Sequence, residues 1–188
     1  MMRALLHYRA SPGFRALLEK EKPDNIALDI VDEADDAGFA AAMRRADVLL
    51  HVLRPVTAGD IVGAPNLKLI QKIGVGVNTI DLEAAKARGI AVCNMPGTNS
   101  QAVAEMTLML MLAALRRVAV FDPQTRAGDG WRPDALELDQ VGEICGRTIG
   151  FVGYGAVPQR LAPALRALGA DIMYTARSQK ADAPGRFV

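Results

Sequence analysis

The stretch from residue 147 to residue 161, RTIGFVGYGAVPQRL, decides how the second half of this chain folds. Within it, residues 148–152 form a short apolar run, which is typical of a buried parallel strand. Apolar residues then recur at helical spacing, at Leu161, Leu165 and Leu168. The pattern therefore predicts a strand, a short turn and a helix, in that order.

The turn between strand and helix contains the residues that are predicted to bind a ligand. Gly153 permits a tight change of direction, and Gly155 lets a ligand approach the backbone without meeting a side chain. The amides of Ala156 and Val157 would stand at the positive end of the new helix, where anions bind. The turn is therefore predicted to hold the diphosphate bridge of a dinucleotide.

The first half of the chain alternates between strand and helix patterns, which favours a parallel sheet with helices on both faces. Asp81 is a candidate N-cap for the helix 82–88, which Gly89 would end. The predicted strands are residues 3–8, 25–31, 47–53, 67–73 and 90–94, and the other predicted helices are residues 12–22, 36–45 and a short one from Thr57.

A long helical pattern covers residues 100–126, and residues 102–115 are apolar nearly all round, which predicts burial between two layers. The loop 95–99 before it is rich in helix-breaking and capping residues, and we interpret it as a domain hinge. The predicted domains are therefore residues 1–97 and 98–188. Residues 186–188 resemble the beginning of a further strand.

Composition excludes several classes of function. A net charge of +1, with both signs interspersed, argues against a dedicated nucleic-acid binder. The most apolar stretch is far too short for a membrane span, so no membrane partner is expected. The two cysteines are too few and too distant for a disulfide framework or a metal site, which favours the cytoplasm.

Three stretches together resemble the D-isomer-specific 2-hydroxyacid dehydrogenases, and among them the glyoxylate and hydroxypyruvate reductases. They are residues 73–97, IGVGVNTIDLEAAKARGIAVCNMPG; residues 99–117, which open with NSQAVAE; and the glycine-rich turn. The resemblance covers essentially the whole chain. It implies an α/β fold, with a flavodoxin-like substrate-binding domain at residues 1–97 and the beginning of an NAD(P)-binding Rossmann domain at residues 98–188.

The resemblance also implies roles for individual residues. The loop at Val75 and Gly76 would offer backbone N–H groups to the substrate carboxylate, although its glycines would equally serve a tight turn alone. Ser100 stands where the family has a threonine that touches the cofactor, and its hydroxyl could also cap the helix. Both interpretations stay open at this point.

The cofactor turn departs from the family pattern at two places. Pro158 replaces the third glycine of the fingerprint, which leaves one amide fewer for the phosphates but is compatible with the first turn of a helix. After the second strand there is no acid to bond a ribose 2′-hydroxyl; instead there are Arg177 and Ser178, which suit a 2′-phosphate. NADP(H) is therefore expected in preference to NAD(H), the alternative being a solvated arginine.

The resemblance places the family's catalytic Arg, acidic residue and His at positions downstream of Val188, and no residue of this chain is assigned to them. His7 and His51 are interpreted as structural strand residues. The chain is thus expected to be truncated and inactive alone, its parent acting on a small 2-keto or 2-hydroxy acid. The alternatives are a non-catalytic dinucleotide-binding module and an inert assembly fragment. By analogy with the family, a homodimer through the helix 100–126 is expected.

Overall fold

The computed structural model describes all 188 residues, which form two compact units, Met1–Pro96 and Gly97–Val188. The strands of the first unit pair in parallel in the order β2-β1-β3-β4-β5. This is the flavodoxin-like order, and the predicted fold class is confirmed. The elements are β1 (Met2–His7), α1 (Pro12–Glu21), β2 (Ile26–Val31), α2 (Asp36–Met43), β3 (Val48–His51), α3 (Ala58–Val62), β4 (Leu69–Lys72), α4 (Leu82–Ala87) and β5 (Ala91–Cys93).

The core of the first unit lies on one face of this sheet. Leu5, Leu49 and Ile70 stand side by side on β1, β3 and β4, and all three are fully buried. Helices α2, α3 and α4 cover them with Phe39, Met43, Ile61 and Ala85. Burial of an aliphatic side chain contributes roughly 1.5–3 kcal/mol, so this layer is the main source of stability for the unit.

The helix ends follow the capping residues that the sequence supplies. The side chain of Asp81 accepts a hydrogen bond from the amide of Ala84 at 2.9 Å, as predicted for the N-cap of α4. Gly89 follows that helix with a φ of 67°, a left-handed conformation that glycine adopts without strain.

The second unit contains a three-stranded parallel sheet in the order β6-β7-β8. Its core joins Ala104 of the first helix to Leu161 and Leu165 of α8 and to Ile172 and Tyr174 of β7. Strand β6 is paired on one side only, and Val152 at its end is 97% exposed. The elements are α5 (Ser100–Leu115), α6 (Val118–Arg126), α7 (Ala135–Leu138), β6 (Thr148–Val152), α8 (Ala156–Ala167), β7 (Asp171–Thr175) and β8 (Arg186–Phe187).

The single helix predicted over residues 100–126 is wrong, because the chain breaks into α5 and α6 at Arg117. That residue has a φ of 50°, the left-handed conformation that ends a helix. Its guanidinium donates a hydrogen bond to the side-chain oxygen of Gln140 at 2.6 Å and another to the carbonyl of Glu137 at 3.4 Å. These contacts with the segment around α7 stabilise the break.

The composition of α5 predicted burial on all sides, and this prediction is also wrong. One side packs against the core of the second unit through Ala104, Leu108, Met111 and Leu115. The other side is exposed; we call Val103, Met106, Met109, Leu110 and Leu112 the open face of α5. In length and apolar character, every helix of the structure falls short of what crossing a membrane requires.

Candidate functional site

The glycine-rich turn has the strand–turn–helix geometry expected from the sequence. Strand β6 ends at Val152, and helix α8 begins at Ala156. Between them Gly153 has a φ of 91°, so this position requires glycine. The amide of Gly153 donates a hydrogen bond to the carbonyl of Thr175 at 2.9 Å, which fixes the turn to the end of β7.

The residues at the start of α8 fit a diphosphate. Gly155 is the N-cap and lies in extended backbone; because glycine has no side chain, the helix has no side-chain cap. A Cβ atom added to Gly155 would meet no other atom within 4 Å, which means that the space in front of it is open. The amides of Ala156 and Val157 have no intrahelical acceptor at this end of the helix. Pro158 is the third helical residue and does not disturb the start of α8.

The predicted 2′-phosphate residues follow directly after β7. Arg177 and Ser178 are both exposed, and Arg177 makes no ion pair. The ammonium nitrogen of Lys180 lies 3.4 Å from the hydroxyl oxygen of Ser178. The end of β7 therefore presents positive charge with no carboxylate paired to it.

The predicted carboxylate loop follows β4 in the first unit. Gly74 has a φ of 150°, and its carbonyl accepts a hydrogen bond from the amide of Met95 at 2.8 Å. Val75 and Gly76 are exposed, and neither amide donates a hydrogen bond within the protein. A Cβ at Gly76 would lie 2.9 Å from the side-chain oxygen of Asn78 and would displace that side chain toward a different rotamer. Free, adjacent amides of this kind can bind an anion.

Asn94 is a site residue to which the sequence analysis gave no role. Its side-chain nitrogen donates a hydrogen bond to the carbonyl of Val75 at 2.8 Å. That carbonyl and the amide of Gly76 belong to one planar peptide unit and point in opposite directions. Asn94 therefore orients the Gly76 N–H. The available signal was a polar residue at the last position of a predicted strand.

Ser100 is the first residue of α5 and is buried. The N-cap of the helix is Asn99, which makes no side-chain capping bond, so the interpretation of Ser100 as the cap is wrong. The chain enters the helix one residue earlier, because the amide of Ser100 bonds the carbonyl of Gly97 at 3.2 Å in the preceding turn.

Comparison with known proteins identifies the family. The model of the D-isomer specific 2-hydroxyacid dehydrogenase catalytic domain matches residues 5–183. The chain belongs to this family.

Two curated relatives illustrate the similarity of sequence. The chain is 37% identical to a D-3-phosphoglycerate dehydrogenase of Mycobacterium leprae, over 80% of this chain and 28% of the relative. It is 38% identical to a glyoxylate reductase of Aeropyrum pernix, over 73% of this chain and 42% of the relative. The chain thus spans less than half the length of these relatives.

A solved structure shows the same similarity of fold. The crystal structure of the TT0316 protein from Thermus thermophilus matches with a TM-score of 0.84 and 30% identity. The match covers 100% of this chain and 60% of the Thermus thermophilus chain.

In this dehydrogenase-family chain both histidines lie in the sheet. His7 and His51 are paired across β1 and β3, and Lys72 is paired with His51 across β4. All three side chains are buried. His7 contacts the carbonyl of Asp32 at 3.2 Å, His51 contacts the carbonyl of Arg54 at 2.6 Å, and the ammonium of Lys72 donates to the carbonyl of Val52. These contacts give the histidines a structural role.

Burial lowers the pKa of both histidines below the ordinary value of 6.5. For His51, the neighbouring Lys72 and His7 lower the pKa further, while the hydrogen bond to the Arg54 carbonyl opposes the shift. That bond requires the proton on Nε2, so Nδ1 is the unprotonated nitrogen; it is buried without a partner. Protonation of Nδ1 would place an unpaired N–H and a charge in the core.

We therefore expect the free energy of unfolding to fall as the pH drops below 6.5. The unfolded chain binds protons near pH 6.5, whereas the folded histidines bind them only at lower pH. Each pH unit within this window costs up to about 1.4 kcal/mol per histidine. Urea unfolding between pH 7.5 and 5.5 measures the slope, which His51→Gln should make shallower. Identical slopes for the two proteins would contradict this assignment.

Arg54 lies in the connection between β3 and α3. Its guanidinium bonds the carboxylate of Asp36 at 2.9 Å and that of Asp60 at 3.3 Å. It also lies 4.5 Å from the centre of the Phe39 ring. These three contacts give the side chain a structural role in joining α2 to α3.

Proposed function

We propose that this chain supplies the carboxylate-binding loop and the adenosine half of the cofactor site of an NADPH-dependent reductase. The substrate would be a small 2-keto acid of the glyoxylate or hydroxypyruvate type, and the reverse reaction would oxidise the 2-hydroxy acid. The proposal is supported by relatives named glyoxylate reductase and hydroxypyruvate reductase. The observation that carries it is the open, uncapped helix start at Gly155 next to a strand end that has no acid.

The residues of this chain would bind and orient rather than transfer protons. The nicotinamide, when bound, supplies or accepts the hydride. The amides of Val75 and Gly76 would hold the substrate carboxylate, with Asn94 fixing the direction of the Gly76 N–H. The amides of Ala156 and Val157 would hold the diphosphate. We propose no residue of this chain as the proton donor for the keto group of the substrate. We therefore expect the chain to be inactive alone.

The proposed preference for NADP(H) depends on charge at the end of β7. NAD-selective sites place an acid there, which bonds the ribose 2′-hydroxyl and repels a 2′-phosphate. Residues 174–178 contain no acid, and the unpaired guanidinium of Arg177 offers a planar donor fork to a phosphate. The exposed hydroxyl of Ser178 would add one further hydrogen bond.

Replacement of Arg177 with alanine tests the preference. We expect wild-type protein to bind NADPH more tightly than NADH, and Arg177→Ala to weaken NADPH binding about tenfold, the value of one charge-assisted contact. Binding of NADH should not change. Fluorescence titration measures both dissociation constants, with Arg132→Ala as a control, since Arg132 is also exposed but lies outside the site. Equal affinities in the wild type, or no effect of Arg177→Ala, would refute the proposal.

A homodimer is the second part of this proposal. The five side chains of the open face of α5 expose apolar surface along a single helix. Exposed apolar surfaces of this kind commonly mark interfaces between proteins. Because the helix ends at Leu115, the proposed contact involves α5 and not the whole segment 100–126.

A further inference from the structure

The connection from β7 to β8 is a loop, residues 176–185, in the place where a crossover helix would otherwise run. This loop carries Arg177, Ser178 and Lys180. A segment without helical hydrogen bonds needs other contacts to hold one conformation. Anything that fixes this loop therefore also fixes the groups next to the proposed 2′-phosphate.

Tyr174 supplies that contact. Its ring is buried between Tyr154 of the glycine-rich turn, 4.5 Å away between ring centres, and Phe187 of β8, 5.5 Å away. Its hydroxyl accepts a hydrogen bond from the amide of Lys180 at 2.8 Å and lies 3.3 Å from the carbonyl of the same residue, to which it donates. Both backbone polar groups of Lys180 are thus bound to one buried side chain.

The side chain of Lys180 turns toward Ser178, with its ammonium nitrogen 3.4 Å from the hydroxyl oxygen. Lys180 makes no ion pair, although Asp182 lies two residues further along the same loop. An exposed ammonium that is held beside a hydroxyl and is not neutralised is suited to a doubly charged phosphate monoester.

We propose that Lys180 is a second cation for the 2′-phosphate and that the Tyr174 hydroxyl is the positioning residue that sets its place. The inference rests on the proposed NADP(H) preference and extends it from Arg177 and Ser178 to the whole loop. Tyr174 acts through the backbone of Lys180 and does not touch the nucleotide. Loss of the hydroxyl therefore reduces recognition of the 2′-phosphate and leaves the rest of nucleotide binding unchanged.

The test compares adenosine 2′,5′-bisphosphate with adenosine 5′-monophosphate, which differ only in the 2′-phosphate. For the bisphosphate we expect Lys180→Ala and Tyr174→Phe each to weaken binding about fivefold, because each loses one modest polar interaction. Binding of the monophosphate should stay within about twofold in both variants, within the scatter of neutral surface changes. Calorimetry of the 188-residue chain gives the dissociation constants of both adenosine phosphates. Lys86→Ala and Tyr8→Phe, in the first unit, are the controls.

The double variant shows whether the two residues act together. If Tyr174 works by placing Lys180, adding Tyr174→Phe to Lys180→Ala should produce less than its own single effect. A Tyr174→Phe protein that melts at a lower temperature but keeps the wild-type ratio of the two affinities would make Tyr174 merely structural and overturn the inference. Lys180→Ala changes an exposed side chain, so it tests the cation even if Tyr174→Phe does not fold.

The outcomes also separate this inference from the proposed function. If wild-type protein binds the two adenosine phosphates equally, or binds neither, the proposed NADP(H) site fails and this inference fails with it. If Arg177→Ala reduces the preference for the bisphosphate while Lys180→Ala and Tyr174→Phe do not, the NADP(H) site stands. In that case only the inference on Lys180 and Tyr174 is overturned.

Discussion

Replacement of Gly155 with valine should lower the affinity for NADPH about a hundredfold, which corresponds to about 3 kcal/mol for two charge-assisted amide contacts. The backbone at Gly155 is extended, with a φ of −91° and a ψ of −158°, and a Cβ there would meet no atom within 4 Å, so the position has room for a side chain. The added side chain would enter the open space in front of α8, where it would exclude the diphosphate from the amides of Ala156 and Val157. The fold of the second unit should therefore be retained.

Gly13→Val is a matched control for this variant. Gly13 also has open space around its Cβ position, but it lies in α1 of the first unit. Circular dichroism should show intact secondary structure for both variants, and a nucleotide titration should separate them. If Gly155→Val binds NADPH as the wild type does, the start of α8 is not the diphosphate site.

Leu110→Asp should convert the proposed homodimer to a monomer. Leu110 is 56% exposed, more than any other side chain of the open face of α5, and the proposed interface would bury it. A carboxylate without a partner in an apolar interface costs on the order of 3 kcal/mol, and a symmetric dimer would contain two of them. Light scattering at micromolar concentration should therefore give the dimer mass for the wild type and half that mass for the variant.

Leu17→Asp controls for the change of charge and hydropathy, since Leu17 is 51% exposed on α1. It should leave the mass unchanged. A monomeric mass for the wild-type chain at the same concentration would remove the dimer proposal. A dimer that survives Leu110→Asp would place the interface elsewhere.

The features that the sequence predicted well are those determined by neighbouring residues. Apolar runs followed by capping and glycine residues gave the order of strands and helices, and the glycine-rich turn was placed correctly between β6 and α8. Asp81 shows why such predictions succeed: its carboxylate bonds the amide only three residues away, so the signal and its effect lie in the same window.

The features that were missed depend on residues far apart in the chain. Nothing at Arg116 or Arg117 marks the end of α5, because neither is glycine or proline; the break is stabilised by Gln140, 23 residues downstream. The row of His7, His51 and Lys72 appears only when three strands are placed in register. The role of Asn94 likewise needs the loop after β4 beside the end of β5.

The unpaired edge of β6 is expected to promote aggregation of the chain. Residues 148–152 present a row of backbone donors and acceptors along that edge, and Val152 adds an almost fully exposed apolar side chain. An uncovered edge of this type can pair with strands of other copies and is a site of aggregation. Concentrated protein solutions should therefore become turbid through cross-β aggregation. A charged residue in place of Val152 should reduce this turbidity.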